Sequence, residues 1–302
     1  MSVYPYTQSQ LAEASAADLL AFIKSPTLLA RRMGEILTAQ QFIGNFLLSG
    51  RYTLQGGAIA VPVNEKIRTD RKAETVAPGG EYKLTPLSEE QYEIYTSEKR
   101  GIATEVTDEE VGRSLRQPID DAMLFLQTEL VFDANEIALG VIDSAVTQTL
   151  AASGAWTDGK TIFRDALRAK QTVRKLKLGY DIDTVVLPGT LYAEVLPELL
   201  DVLPADDDTA KTGGFPTISG ITWVSDDGDD LSDPLFVDRR RLGGVAREKI
   251  PSPEYRPVGS DTGVEVASFR EHSDKTRIQA RNPHVPVVAN PLAAIHLTGT
   301  GA

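Results

Sequence analysis

Three histidines, His272, His284 and His296, are the first side chains to test for metal or proton chemistry, and they recur at a spacing of twelve. That spacing brings no two of them together on one helical turn or across a short hairpin, so it matches no metal-ligand rule. His296 alternates with Ile295 and Leu297 as a strand residue would, and its expected role is structural. The run SDDGDDLSD, Ser225 to Asp233, sets carboxylates on a glycine turn that could coordinate Ca²⁺, but no bidentate Glu stands at the twelfth position of an EF-hand. A polar turn is the simpler reading, with a weak ion site around Asp226 to Asp230 as the alternative. DRRRLGG, Asp238 to Gly244, offers three arginines without interleaved aromatics, a poor nucleic-acid signature; arginines paired at an interface are expected. Fourteen Asp and Glu face Lys211 alone between Asp181 and Asp238. A solvated acidic face accounts for them, and paired carboxylates for glycoside chemistry stay open because sequence does not set their separation. No GxSxG, HExxH, Walker A or dinucleotide fingerprint occurs. No catalytic, cofactor-binding or metal residue is assigned.

Composition narrows the classes further. The 302 residues suffice for one large domain or two of ordinary size. Cysteine is absent, which removes disulfides, thiolate metal sites and cysteine nucleophiles together and fits a chain kept in a reducing cytosol. The N-terminal MSVYPYTQSQLAEASAADLLAF has neither the basic flank nor the apolar core of a signal peptide. No apolar run is long enough to cross a bilayer, so a soluble, non-secreted protein is expected. A formal charge of −12 opposes loose attraction to nucleic acid or anionic membrane, since phosphate binding relies on Lys and Arg.

The elements that must position these groups follow from periodicity. LAEASAADLLAFIK and, after Pro26, TLLARRMGEIL repeat near 3.6, as two short helices with weak anchorage. From about Gly50 the period drops to two. RYTLQGGAIAVPV and EYKLTPL read as arms of a long hairpin around a charged tip closed by Pro78-Gly79-Gly80. Such a hairpin cannot bury its own faces and must lie on something, a second copy of the chain included. Thr107 and Glu110 have capping-box spacing, and Pro118 suits the first turn of the next helix. Ile119, Met123, Leu126, Leu130, Ile137, Val141 and Ala145 form one apolar stripe there, with Phe125, Phe132, Leu139 and Val146 as a second. A helix from Pro118 to about Ala152 would be a strut roughly 50 Å long; the alternative is two core helices broken near Asp133 to Asn135 or at Gly140. After SGAWTDG comes a basic amphipathic helix, KTIFRDALRAKQTVRKLKLG, closed by Gly179. DIDTVVLPG follows as a buried strand, TLYAEVLPELLDVLP as a helix, and strands continue to a hairpin-like end. The order is α+β, with residues 156 to about 255 set apart as a subdomain.

Four passages share their order and phrasing with one family. They are GGAIAVPVNEKIRTDRKAETVAPGGEYKLTPL; YEIYTSEKRGIATEVTDEEVGRSLRQPIDDAM; DTVVLPGTLYAEVL; and FVDRRRLGGVARE with TRIQARNPHVPVVANPLAAIHLTG. Across about residues 30 to 299 the chain resembles the major capsid protein of tailed bacteriophages, in the Hong Kong 97 type fold shared with encapsulins and herpesvirus capsids. The resemblance implies an N-terminal arm (1–48), an extended E-loop hairpin (49–88), a peripheral domain with a long spine helix (89–155 and 256–302) and an axial domain (156–255). It implies a structural subunit, not an enzyme and without cofactor, that self-assembles through its E-loop and N-terminal arm. The product is hexamers and pentamers of an icosahedral shell enclosing double-stranded DNA without sequence-specific binding. A portal and a separate scaffolding protein are the implied partners, the latter because only about fifty residues precede the hairpin. No membrane is involved; the location is the virion capsid, assembled in the host bacterial cytoplasm. The alternatives are an encapsulin-type nanocompartment shell, a tail component and, in a different class, a carboxylate-dependent hydrolase built on residues 181–238.

Some members of that family join E-loop lysines to an asparagine of a neighbouring subunit with a glutamate as base. Lys66 and Lys72 are the matching lysines, but REHSDKTRIQAR holds no Asn, and Ala280 stands where the carboxylate is required. Shells of this protein are therefore expected to denature to single chains. Mass spectrometry after denaturation checks this, and a ladder of covalent oligomers would refute it.

Overall fold

The computed structural model describes residues 14–37, 43–54, 56–63, 72–84, 91–202, 215–228, 230–259 and 262–301. The chain opens with α1 (Ala16–Ile23), α2 (Pro26–Leu37) and α3 (Ile43–Leu47). Ser15 caps α1: its hydroxyl accepts the Asp18 N–H, and the Asp18 carboxylate accepts the Ser15 N–H in return. Strands β1 (Gly50–Leu54), β2 (Ala58–Val63), β3 (Gln91–Thr96) and β4 (Glu98–Thr107) follow, then α4 (Asp108–Ser114) and α5 (Gln117–Ala145). The expected capping box starts α4, with Thr107 N–H donating to Glu110 Oε2 at 2.9 Å and Glu110 N–H to Thr107 Oγ1 at 3.2 Å. Next come β5 (Thr149–Ala151), α6 (Gly159–Lys175), β6 (Thr184–Pro188), α7 (Gly189–Val202), β7 (Thr217–Ile218), β8 (Ile221–Asp226), β9 (Leu235–Val237) and α8 (Arg239–Leu242). The last strands are β10 (Gly243–Glu248), β11 (Arg256–Pro257), β12 (Glu265–Arg270), β13 (Lys275–Val288) and β14 (Ala294–Thr298).

Two sheets organise the chain. The first runs β1-β10-β13-β12-β11, with β4 paired to the other side of β13 over Lys275 to His284. The second runs β5-β14-β9-β6-β8-β7. Two strands change sides relative to their place in the sequence. β10 leaves the 156–255 segment to join the first sheet, and β14, at the C-terminal end, pairs with β9 and β5 in the second. β6 shows why the second sheet needs cover on both faces. Val185 and Leu187 pack with α6 and α7, whereas Val186 points the other way, into the cluster of α3 and the end of α5.

Helix α5 spans both cores. At 29 residues it is about 43 Å long, at 1.5 Å per residue. It passes unbroken through Asp133 to Asn135 and Gly140, so the strut holds and the two-helix alternative does not. It stops at Ala145 rather than near Ala152, because Val146 turns extended and Thr149–Ala151 pairs with β14. Ile119, Met123, Leu126 and Leu130 are buried as expected, but the buried stripe then continues through Ala134, Ala138, Leu139 and Ile142. Ile137, Val141 and Ala145 lie half-buried beside it. Of the second stripe, Leu139 and Val146 are buried while Phe125 and Phe132 are each 52% exposed.

The N-terminal helices are anchored more firmly than their length implied. Leu19, Phe22, Ile23, Leu29 and Met33 are fully buried against α5, β12 and β13. Two buried amides lock α5 to this layer: Gln127 Nε2 donates to the Met33 carbonyl at 2.9 Å, and Asn135 Oδ1 accepts the Gly44 N–H at 3.3 Å. The hairpin also differs from expectation. β2 pairs with β3, from Ala58 opposite Thr96 to Val63 opposite Gln91, so the returning arm lies beyond EYKLTPL, of which residues 81–84 are non-strand and 85–87 lie outside the described residues.

Two glycines of the strut region separate packing from propensity. A Cβ on Gly44 would meet Ala138 Cβ at 2.4 Å, whereas one on Gly140 meets nothing within 4 Å. Gly44→Ala is expected to destabilise the unassembled subunit by about 1–3 kcal/mol through overpacking, and Gly140→Ala to stabilise it by about 1 kcal/mol through helix propensity. Urea unfolding of the two variants checks both signs.

Candidate assembly surfaces

The residues that sequence offered for chemistry do not converge. His272 is exposed at the β12–β13 turn, His284 is buried in β13, and His296 Nε2 lies 3.6 Å from Asp143 Oδ1 at the end of α5. Burial holds the His284 pKa below 6.5, and its Nδ1 meets the Asn282 carbonyl at 3.1 Å, a contact only a protonated Nδ1 can make. Among the described residues no three His, Asp or Glu side chains come together as a metal site. In SDDGDDLSD the buried Asp226 binds its own turn, accepting Gly228 N–H at 3.3 Å and Leu231 N–H at 2.9 Å.

Asp238 most resembles a catalytic carboxyl, because burial lifts its pKa above 3.8. Both its oxygens are spent on backbone: Oδ2 accepts Asp181 N–H at 2.8 Å and Oδ1 accepts Arg240 N–H at 3.1 Å, capping α8. Asp181 itself pairs with Arg174 and Lys170. Of the arginines of DRRRLGG, Arg239 also serves the fold, lying 4.1 Å over the Phe46 ring and 3.9 Å from Asp183, while Arg240 and Arg241 are exposed. This is a scaffold's use of charge.

Some large apolar side chains stay in water on the hairpin and on the outer side of α5. On the hairpin Tyr92 is 63% and Ile94 71% exposed, and toward its tip Tyr82 is 85% and Leu84 93% exposed. The base of the hairpin is held: the Tyr95 hydroxyl lies 2.9 Å from Glu93 Oε2 and 3.3 Å from the Val288 carbonyl, and burial followed by the Glu93 charge pushes its pKa up to about 12. On α5, Leu124, Phe125 and Phe132 form a second exposed group. Sequence placed the two phenylalanines on an apolar stripe, but only the packing shows that the stripe is left in solvent. Of the crosslinking residues, Lys72 is exposed, Lys66 lies outside the described residues, and Ala280 is buried in β13 between Val266 and Ile102.

An exposed apolar hairpin and a two-sheet body around one long helix suit a protein that works by surrounding itself with copies. A family model described as phage capsid protein matches residues 90–297. The chain belongs to the phage capsid protein family. This capsid subunit shares the Hong Kong 97 type fold with solved structures. A virus-like particle from Pyrococcus furiosus aligns at 12% identity and TM-score 0.56, over 89% of this chain and 98% of that one. The capsid of cyanophage P-SCSP1u aligns at 12% identity and TM-score 0.54, over 85% and 88%. A Microbacterium phage Oxtober96 structure aligns at 13% identity and TM-score 0.55, over 86% and 90%. No curated protein matches the sequence. The protein is a structural component of a viral capsid and not an enzyme, and no helix among its described residues is long and apolar enough to cross a membrane.

One carboxylate of this subunit is placed by the core rather than by function, and sequence reading missed it. Asp165 sits in the buried stripe of α6 with Ile162, Ala166, Ala169 and Val173, a charge among apolar positions, which was the available signal. It accepts Ser153 N–H at 2.9 Å, Ser153 Oγ–H at 2.7 Å, Trp156 Nε1–H at 3.3 Å and an Arg168 N–H at 2.9 Å. Burial opposes its charged form, but these donors outweigh that and hold its pKa below 3.8. A depressed carboxyl stabilises the fold above its unfolded pKa and loses that contribution as pH falls through the folded value. Asp165→Asn is expected to cost about 1–3 kcal/mol at neutral pH. In urea titrations the gap to wild type should stay constant down to about pH 5 and close below about pH 4.

Proposed function

We propose that copies of this capsid subunit assemble into hexamers and pentamers of an icosahedral shell that encloses double-stranded DNA. The observation carrying this is the pairing of a projecting hairpin, whose Tyr92, Ile94, Tyr82 and Leu84 are exposed, with an exposed apolar group on α5, Leu124, Phe125 and Phe132. In water each is a liability; laid on a neighbouring subunit, each large apolar side chain contributes about 1.5–3 kcal/mol on full burial. The proposed division keeps an N-terminal arm (1–48), an E-loop hairpin (49–88, with its returning strand at β3), a peripheral domain with α5 as spine (89–155 and 256–302) and an axial domain (156–255). β10 and β14 cross between the last two. The net charge of −12 suits a wall that confines nucleic acid without gripping it. A portal and a separate scaffolding protein are the proposed partners, and the host bacterial cytoplasm is the proposed place of assembly.

Tyr92→Ser with Ile94→Ser tests the hairpin contact. The variant should stay folded, because exposed positions change stability by about 0.5 kcal/mol or less, yet form no closed shells by negative-stain electron microscopy where the wild type does. Normal shells from this variant would refute the contact.

A further inference from the structure

Two helices on one face of the second sheet carry opposite and unneutralised charge. α6 packs over β14 and β9, and α7 over β6 and β8. Along α6, with Leu150 of the edge strand β5, runs a groove of about 610 Å³ whose lining includes Phe163, Leu167, Lys160, Arg164 and Lys175. Of the four cations that line it, Arg168 pairs with Asp165 at 2.9 Å, whereas Lys160, Arg164 and Lys175 are exposed and among the described residues pair with no carboxylate; Arg164 is held by the Ser153 hydroxyl at 2.9 Å. On α7, Glu194, Glu198 and Asp201 stand at i, i+4 and i+7, one exposed acidic stripe, and none of them ion-pairs among the described residues either.

In a chain of net charge −12, a cationic groove with apolar walls is the exception that calls for an anionic occupant. The matching chemistry is on the same subunit, at the same one-turn spacing: Lys160 and Arg164 on one helix, Glu194 and Glu198 on the other. A subunit's own α7 leaves both sets unpaired, and a two-fold contact of either patch with itself would set like charges together. We propose that the α6 groove of one subunit receives the α7 acidic stripe of the next, with Phe163 and Leu167 of the groove burying surface within the contact. This contact joins two different patches, and repeated head to tail around an axis it makes a ring wherever its rotation closes. The charge order gives it a direction: every copy presents its basic helix to one neighbour and its acidic helix to the other. The inference rests on the capsomer reading and names the contact that orients subunits within it.

Charge reversal tests it in the full-length chain. Lys160→Glu with Arg164→Glu, and separately Glu194→Lys with Glu198→Lys, should each lower the yield of shells by about tenfold or more through like-charge juxtaposition. Circular dichroism and thermal unfolding should stay as in the wild type. Combining all four reversals should restore the shells, because the contact is re-formed with its polarity inverted; rescue is the outcome a merely structural role does not produce. Reversed variants that assemble like the wild type would overturn the contact while leaving the capsid reading intact. So would a folded four-fold variant that does not assemble, or loss confined to the α6 reversal, which would place another anionic partner in the groove. A wild-type chain giving neither rings nor shells would instead overturn the capsomer reading on which the contact rests.

Discussion

The structure depends on one helix being long enough to belong to two cores. The first half of α5 buries Ile119, Met123, Leu126 and Leu130 against α1, α2 and the first sheet; its last turns bury Leu139 and Ile142 against α3 and the second sheet. Apolar burial has no direction of its own, so it would hold the helix in place without fixing how far it slides or turns. Directional bonds fix that. Gln127 reaches the Met33 carbonyl, Asn135 takes the Gly44 N–H, and the Gly44–Ala138 approach admits no extra methyl. Buried polar groups are costly unless paired, so each pair selects one placement of the N-terminal helices along the strut.

The exchange of β10 and β14 between the halves has a related consequence. Each sheet is completed by strands from distant parts of the sequence: β1 lies beside β10, and β5 beside β14. Neither half therefore has a complete sheet without the other, and the two are joined by pairing as well as by α5.

Charge is divided between the interior and the surface by the same economy. Asp165, Asp226 and Asp238 are buried and spent on backbone, hydroxyl, indole and guanidinium donors, so Asp226 and Asp238, which looked like chemistry, are turn and cap elements. Among the exposed charges, Lys160, Arg164 and Lys175 of α6 and Glu194, Glu198 and Asp201 of α7 stand on adjacent helices with no ion-pair partner among the described residues. Surface ion pairs within one chain contribute little. Complementary patches on different chains govern which partner is accepted and in what orientation, which is the role proposed for the α6 and α7 charges.

The sequence alone carried the order of the elements. Thr107 and Glu110 marked the start of α4, Pro118 the first turn of α5, and a short apolar run marked β6 as a buried strand, because caps, prolines and apolar patterning act over a few neighbouring residues. The same local signals misplaced the end of α5, since whether Thr149–Ala151 stays helical or becomes strand is decided by β14, which lies about 150 residues away and offers backbone partners that helix propensity does not weigh. They also took EYKLTPL for the hairpin's second arm, because register depends on which strand is present to pair. Sequence identified Phe125 and Phe132 as apolar and the α6 face as basic; only the tertiary structure decided that both remain outside. Exposure is a relation between a residue and everything packed around it, and no stretch of sequence contains its own neighbours in space.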